Sequence, residues 1–285
     1  MSTSQTTAKS RPPGRLGSGT GLGRTLRWLV LLSLAGPSWP LAARAGPDLT
    51  SGNAEPRLLT VAEHSRPEEV IRDPFEPFNR TMFRLNDELD LHVLEPAARG
   101  WAWLVPHPLR TGIVNFYENL LFPVRLANTT LQGRFKDTAI ETGRFALNST
   151  IGLGGVLDPA ARLGLEAHRA DFGQTLGRWG TPAGPYLVWP IWGPSSVRDT
   201  FGVLVDGYLG VATFFVDVPI LVGSTGLDAL NRRSMHLEDM ETARGASLDL
   251  YAAARDAWEQ EREEAILGPD GARAAREESL YFLGE

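Results

Sequence analysis

The sequence of 285 residues contains no cysteine. This absence excludes disulfide bonds, thiolate metal sites, a cysteine nucleophile and an acylated N-terminal cysteine. Acidic residues are also absent from the first 45 positions, which carry six basic side chains: Lys9, Arg11, Arg15, Arg24, Arg27 and Arg44. Such a one-sided charge distribution indicates that this N-terminal segment has a role of its own.

A long hydrophobic run is missing from that segment as well. The apolar run that starts at Trp28 has about nine residues, fewer than the roughly 20 that a membrane-spanning helix needs. It is followed by Ala43-Arg44-Ala45, which has the small-x-small pattern of a signal cleavage site. We therefore predict a secretory signal peptide at residues 1–45, with cleavage after Ala45. An uncleaved interfacial anchor and a disordered basic tail are the alternatives.

The rest of the chain is acidic. Without residues 1–45 it keeps 22 basic and 34 acidic side chains, which gives a formal charge of −12. Because phosphate backbones repel this charge, nucleic acid is excluded as a partner. Residues 46–72 are rich in Pro, Gly, Glu and Ser, which predicts a disordered linker. We expect one helical domain at residues 73–267 and a flexible tail at residues 268–285.

Apolar residues at spacings of three and four indicate an amphipathic helix that starts at Asp73, with this residue as N-cap and Pro74 in the first turn. Its apolar stripe consists of Phe75, Phe78, Met82, Leu85 and Leu89. Further helices are predicted near residues 92–104, 109–120, 124–132, 134–149, 227–242 and 247–267. Strand signal is weak, and the abundance of Gly, Pro and Trp predicts irregular structure from Phe172 to Pro194. The predicted fold class is all-α.

The most apolar stretch after the signal segment covers residues 201–223. Asp206, Asp217 and Pro219 interrupt it, and a lipid-facing carboxylate is costly, so a single span is disfavoured. A helix that lies in a membrane beside a polar cavity fits better. The chain also has eight tryptophans, and this side chain is frequent where an apolar layer meets water. Candidates for such a membrane belt are Trp101, Trp103, Trp189 and Trp192.

Motifs of the common enzyme classes are absent from the sequence. It contains no H-E-x-x-H, no G-x-S-x-G and no P-loop, and the five histidines lack ligand spacing. We therefore predict no metal, no cofactor and no catalytic residues. Glu166, His168 and Asp171 could form an acid-base group, but a salt-bridged turn with Arg169 is the simpler interpretation.

Several strings of the sequence together resemble the VacJ/MlaA family of outer-membrane phospholipid-transport proteins. Three of them are long: Asp73-Pro74-Phe75-Glu76-Pro77-Phe78-Asn79-Arg80-Thr81-Met82-Phe83, Phe145-Ala146-Leu147-Asn148-Ser149-Thr150-Ile151-Gly152-Leu153-Gly154-Gly155 and Asp171-Phe172-Gly173-Gln174-Thr175-Leu176-Gly177-Arg178-Trp179-Gly180. Shorter ones follow in order: Gly184-Pro185-Tyr186, Gly193-Pro194-Ser195-Ser196, Arg198-Asp199 and Asp206-Gly207. The resemblance covers about residues 73 to 262.

This resemblance implies a compact ring of short amphipathic helices, embedded in the periplasmic leaflet of the outer membrane around a central channel. It implies a pathway that removes mislocalised phospholipid from the outer leaflet, with a porin trimer and a periplasmic lipid carrier as partners. Members of the family are commonly lipoproteins tethered through a cysteine. Because this sequence has none, we expect the apolar surface and porin contacts to retain the protein at the membrane.

The resemblance also directs attention to particular residues. Arg198, Asp199 and Asp206 are candidates to line the lipid channel, since a guanidinium group suits phosphate, but salt bridges among them are equally expected. Gly152, Gly154 and Gly155 are candidates for a hinge or gating loop, with a simple structural turn as the alternative. A phospholipid hydrolase or acyltransferase that uses His168 and Asp171, and a structural envelope adaptor, are the competing functions.

Overall fold

The computed structural model describes residues 73–210 and 215–268, together with residues 271, 272 and 274. The predicted signal peptide, its cleavage after Ala45 and the linker at residues 46–72 lie outside the described residues. The same holds for most of the predicted tail.

The described part of the chain is mostly helical, as the sequence predicts. Its first helices are α1 (Glu76–Leu89), α2 (Glu95–Leu104), α3 (His107–Leu120), α4 (Phe122–Leu131), α5 (Phe135–Thr150), α6 (Pro159–Arg162) and α7 (Phe172–Arg178). The later ones are α8 (Val197–Leu209), α9 (Val218–Met235), α10 (Leu237–Ala246) and α11 (Leu250–Leu267). A π-helical segment, Asp90–Leu94, joins α1 to α2. Within the described residues, none of these helices has the length and apolarity needed to cross a membrane.

Two sequence predictions need correction. The segment predicted to be irregular contains α7 and a β-hairpin, in which β1 (Tyr186–Trp189) pairs with β2 (Gly193–Ser196) in antiparallel register. The apolar stretch at residues 201–223 is not one helix, because α8 ends at Leu209 and α9 begins at Val218. Pro219 occupies the first turn of α9, where a missing N–H is tolerated, and so it favours a helix start there.

The start of α1 also differs from its prediction in detail. The N-cap position is Phe75 rather than Asp73, and the helix begins at Glu76. Asp73 still serves this end of the helix, because its carboxylate accepts hydrogen bonds from the N–H of Phe75 at 3.0 Å and from the amide of Asn79 at 2.9 Å. The sequence pattern at Asp73 and Pro74 therefore predicts the start of α1 to within a few residues, and the N-cap lies at Phe75, two residues after Asp73.

Helix α1 turns its apolar stripe outward. Most of the stripe residues are exposed, namely Phe75, Phe78, Leu85 and Leu89, whereas the fully buried positions beside the stripe are polar, namely Asn79, Asn86 and, directly after the helix, Asp90. The periodicity is therefore as predicted, but the fully buried positions are polar, and of the stripe only Met82 is partly buried against the interior.

The buried asparagines of α1 hold the edge of strand β1. Asn79 donates from Nδ2 to the carbonyl of Tyr186 at 3.0 Å and accepts the N–H of Val188 at 2.9 Å. Two helical turns later, Asn86 donates to the carbonyl of Trp189 at 2.9 Å and accepts the N–H of Ile191 at 2.7 Å. The two amides thus satisfy backbone groups that an edge strand would otherwise leave unpaired.

Apolar packing in the interior is concentrated beside this hairpin. Tyr186 and Val188 of β1 pack with Tyr251 and Trp258 of α11, and Met82 and Phe83 of α1 cover the cluster. The rings of Tyr186 and Trp258 meet at 5.5 Å between centroids in an edge-to-face arrangement. This cluster joins the beginning of the domain to its last helix.

We predict that Asn79→Ala lowers the free energy of unfolding by about 2–4 kcal/mol, because it leaves buried backbone groups of β1 without partners. Thermal and denaturant unfolding of the detergent-solubilised protein measures this loss. Asn115→Ala is the matched control, since Asn115 makes one longer hydrogen bond of 3.3 Å to the carbonyl of Val156. Equal losses in the two variants would contradict the role assigned to Asn79.

Candidate functional site

The three candidate channel residues all lie on α8 and are buried. Ser196 caps this helix, since its hydroxyl accepts the N–H of Asp199 at 3.1 Å and donates to the carboxylate of Asp199 at 2.9 Å. Arg198 lies beside Asp199, with 3.2 Å between its Nε and Oδ1 of Asp199. Of the predicted salt bridges between helices among these residues, the structure has only the pair Arg198–Asp199, and it lies within α8.

A residue that the sequence did not indicate completes this group. Arg262 on α11 reaches Oδ1 of Asp199 at 2.7 Å and Oδ2 of Asp171 at 2.6 Å. We call Asp171, Arg198, Asp199, Asp206 and Arg262 the Asp199 network. Although burial alone raises the pKa of Asp171, the charge of Arg262 holds that pKa below its usual value. The network ties α11 to α7 and α8.

Asp206 differs from the other carboxylates of this network. It accepts hydrogen bonds from Nδ2 of Asn128 and from the N–H of Phe172, both at 2.8 Å. Burial, followed by the negative charge of Asp171, raises the pKa of Asp206 to about 7. Asp206 is therefore partly protonated near neutral pH, whereas the other two carboxylates have a guanidinium partner.

A second network connects the beginning of the domain to α9 and α10. The guanidinium group of Arg233 donates two hydrogen bonds, of 2.7 and 2.9 Å, to the carboxylate of Asp90, and a third, of 3.0 Å, to Glu95. Arg244 contacts the same two carboxylates and Asp87 at 2.8 to 3.1 Å. We call these five residues the Asp90 network. Arg233 and Asp90 are both almost fully buried.

A third network is centred on Glu141 of α5, whose side chain is fully buried. Arg125 donates to its Oε2 at 2.6 Å, and the backbone N–H of His168 donates to its Oε1 at 2.7 Å. Arg144 pairs with Asp158 at 2.7 Å. Arg169 contacts Glu118 at 3.3 Å rather than the turn around Asp171, so the salt-bridged turn predicted from the sequence has a different partner.

The candidate glycines form a tight turn at residues 151–157. Gly154 and Gly155 have φ angles of 72° and 97°, which favour glycine. A Cβ on Gly152 would come within 2.5 Å of two carbonyl oxygens, and one on Gly155 would meet Asn119 at 2.4 Å. The structural turn predicted as the alternative is thus present, and movement as a gate stays a prediction.

The candidate belt tryptophans divide into two pairs. Trp103 and Trp189 are exposed, and the indole of Trp189 donates to Thr200 at 2.9 Å. Trp101 and Trp192 are partly buried, and the indole of Trp101 donates to Asn231 of α9 at 3.0 Å. A belt role is thus compatible with the exposure of the first pair, while Trp101 also connects α2 to α9. The role itself stays a prediction.

We predict that Arg233→Met lowers the free energy of unfolding by about 3–5 kcal/mol, because it leaves the buried Asp90 undercompensated. Arg99→Met is the matched control, since Arg99 also pairs with Glu95 but is half exposed. Arg99→Met should lower the free energy of unfolding much less, because water already solvates an exposed ion pair. Denaturant unfolding measures both, and similar losses would show that burial of the pair is unimportant.

Asp206 should make stability depend on pH. Its folded pKa lies above that of an unfolded aspartate, so the fold prefers the protonated form. Its contribution is complete below about pH 4 and is lost as the pH rises through about 7. Between about pH 4 and 7 the free energy of unfolding should fall by on the order of 1 kcal/mol for each pH unit.

The check on Asp206 is the slope of unfolding free energy against pH. Asp206→Asn should flatten this slope between about pH 4 and 7, whatever its effect on absolute stability. Asp256→Asn removes a partly exposed carboxylate of α11 and should keep the wild-type slope. An unchanged slope in Asp206→Asn would contradict the assignment.

Comparisons with known proteins agree with the sequence resemblance. Residues 71–265 match the family model described as MlaA lipoprotein. The "Intermembrane phospholipid transport system lipoprotein MlaA" of Haemophilus influenzae is 36% identical over 193 residues, which are 66% of this chain and 76% of the relative. The protein of the same name from Escherichia coli is 35% identical over 207 residues, or 71% of this chain and 82% of the relative.

A solved structure with a similar fold gives the same result. It is described as "Structural basis for maintenance of bacterial outer membrane lipid asymmetry", has a TM-score of 0.62 and is 33% identical. The match covers 68% of this chain and 98% of the solved one. The chain belongs to the MlaA family.

Proposed function

We propose that this protein is a non-enzymatic component of a phospholipid transport pathway that maintains the lipid asymmetry of the outer membrane. It takes mislocalised phospholipid from the outer leaflet and passes it toward the periplasm. The names of the Haemophilus influenzae and Escherichia coli relatives support the transport of phospholipid between membranes. The description of the similar solved structure supports a role in outer-membrane lipid asymmetry.

The observation that carries this proposal is the reversed distribution of polar and apolar side chains. Among the described residues, all of the largest fully buried side chains except Val188 are polar or charged. Large apolar side chains are exposed instead, with Trp103 at 88% and Phe215 at 83%. Monomeric soluble proteins have the opposite arrangement. An acyl-chain environment accommodates such a surface without the cost that water imposes.

The short helices suit the periplasmic leaflet of the outer membrane. Their backbone hydrogen bonds are satisfied internally, as a lipid environment requires, although none of the described helices can cross a bilayer. The paired charges of the interior then provide a polar route for headgroups, with Arg198, Asp199 and Asp206 as its proposed lining. A porin trimer and a periplasmic carrier are the proposed partners on either side of this step.

The contacts of the two residues in the enzymatic alternative support a non-catalytic role. Asp171 accepts the N–H of Gln174 at 2.8 Å and is held by Arg262, so it serves as a helix cap and an ion-pair partner. His168 lies near other carboxylates, with Asp137 at 3.4 Å. Asp171 is thus engaged in structural contacts, and the carboxylates that the structure places near the imidazole of His168 are those of Asp137 and Glu141.

Deletion of the gene should leave phospholipid exposed on the cell surface, and the full-length gene should restore asymmetry. The measurement is labelling of intact cells with a membrane-impermeant reagent for phosphatidylethanolamine. We expect Arg198→Gln to complement poorly because it removes the guanidinium proposed to meet the phosphate group. Arg255→Gln is the matched control, since Arg255 also pairs with the aspartate that follows it, Asp256.

Immunoblots of both variants separate a loss of transport from a loss of protein. Normal surface lipid in the deletion strain would overturn the proposal. Release of fatty acid from labelled phospholipid by the purified protein, abolished by His168→Ala, would favour the hydrolase instead.

A further inference from the structure

The turn between α4 and α5 is tied to the end of α7 by two hydrogen bonds. The indole of Trp179 donates to the carbonyl of Leu131 at 3.2 Å, and the amide of Gln132 donates to the hydroxyl of Thr175 at 3.0 Å. These contacts hold the residues that precede α5 beside the last turn of α7. Side chains from two separate parts of the sequence thus meet at one place on the surface.

Each of these two segments carries an arginine. Arg134 directly precedes α5 and pairs with Asp137, which also lies 3.4 Å from the imidazole of His168. Arg178 is the last residue of α7 and makes no side-chain hydrogen bond or ion pair within the described part of the chain. Burial, followed by the positive charge of Arg134, lowers the pKa of Arg178. The two guanidinium groups share one carboxylate, so positive charge is in excess here although the chain is acidic.

The place of Arg178 at the end of α7 has a structural explanation of its own. A cation in the last turn of a helix interacts favourably with the helix dipole. Arg162 has the same place at the end of α6, and it is likewise exposed and without an ion pair among the described residues. The helix dipole does not explain the second guanidinium group beside Arg178, because the two repel each other. The position of Arg134 next to Arg178 therefore favours an anionic ligand between them.

Large apolar side chains surround the two arginines. Leu131, Phe135 and Trp179 are all exposed beside them. The ring of Phe172 meets that of Trp179 edge to face at 6.1 Å between centroids, and it lies 6.5 Å from the ring of the exposed Phe201. The apolar surface therefore extends from the end of α7 to α8. A ligand with an anionic group and a long apolar part matches this combination.

We propose that Arg134 and Arg178 bind the phosphate group of an anionic phospholipid, whose acyl chains lie along Phe135 and Trp179. Guanidinium groups bind phosphate oxygens through charge-assisted hydrogen bonds. An anionic headgroup is favoured over a zwitterionic one because Asp137, the carboxylate that could accept an ammonium group, is already paired with Arg134. The proposal rests on the proposed function, which brings the protein to phospholipid, and it adds a preferred lipid class.

Competition between two lipids tests this site with the full chain. The protein in a neutral detergent is mixed with equal amounts of phosphatidylglycerol and phosphatidylethanolamine that carry the same acyl chains. Native mass spectrometry then gives the ratio of the two lipids in the complexes. Arg178→Gln removes one guanidinium group of the site. Arg162→Gln is the matched control, since it removes an exposed arginine at the end of another helix.

We expect the wild-type protein to bind phosphatidylglycerol in preference to phosphatidylethanolamine. Arg178→Gln should lower the ratio of bound phosphatidylglycerol to phosphatidylethanolamine on the order of tenfold, because a charge-assisted contact with phosphate is lost. Arg162→Gln should keep the wild-type ratio. Thermal unfolding of Arg178→Gln in the same detergent should show a folded protein, since the substitution also removes the repulsion by Arg134.

A wild-type protein without preference for phosphatidylglycerol overturns the proposal, and this result does not depend on any variant. An unchanged ratio in folded Arg178→Gln, or an equal loss in Arg162→Gln, overturns the assignment to these arginines. Displacement of phosphatidylglycerol by an equal concentration of inorganic phosphate would identify free phosphate as the ligand and overturn the lipid assignment. None of these results contradicts the proposed function, which the surface labelling of the deletion strain tests separately.

Discussion

The pairing of buried charges is the constraint on which the arrangement of the helices depends. A buried carboxylate or guanidinium group costs several kcal/mol unless an opposite charge compensates it. Arg233 meets its partner Asp90 across 143 residues of sequence, and this contact fixes α9 against the end of α1. Arg262 does the same for α11 against α7 and α8. Because these contacts are directional, they determine how the helices are oriented as well as which helices meet.

The same constraint accounts for the surface of the molecule. Where polar residues of a helix such as α1 occupy the fully buried positions, most of its apolar stripe lies outside. In an acyl layer, burial of apolar side chains between helices brings little gain, because lipid tails are equally apolar. Polar contacts and close packing then have to hold the helices together. Apolar side chains do pack together in the interior at the aromatic cluster around Tyr186 and Trp258, between the hairpin and α11, as they do in the core of a soluble protein.

Local features of the fold could be predicted from the sequence because they depend on neighbouring residues. The periodicity predicts a helix at residues 134–149, and α5 spans Phe135–Thr150. Periodicity also identified the apolar stripe of α1, but it cannot indicate whether that stripe faces protein or another apolar medium. The hairpin was missed because four-residue strands are too short to show alternation, and Gly, Pro and Trp around them indicate turns.

The candidate site could be predicted only in part, for a related reason. Arg198 and Asp199 are adjacent in the sequence, so their pairing was among the expected arrangements. Arg262 lies 63 residues from Asp199 and 91 from Asp171, and a single sequence gives no signal that connects such positions. Asn79 and Asn86 do carry a signal, since polar residues seven apart share one helix face. Their role as partners of β1 was hidden because the strand itself was missed.

The charge balance of the Asp199 network bears on the proposed role of Arg198. Asp199 accepts from Arg198 at 3.2 Å and from Arg262 at 2.7 Å, so the contact with Arg198 is the weaker of the two. A phosphate group that replaced Asp199 as the partner of Arg198 would leave Asp199 compensated by Arg262. A phosphate group that replaced Asp90 as the partner of Arg233 would instead remove the two hydrogen bonds that compensate the buried Asp90. The proposed binding of a headgroup at Arg198 would therefore leave Asp199 with a guanidinium partner.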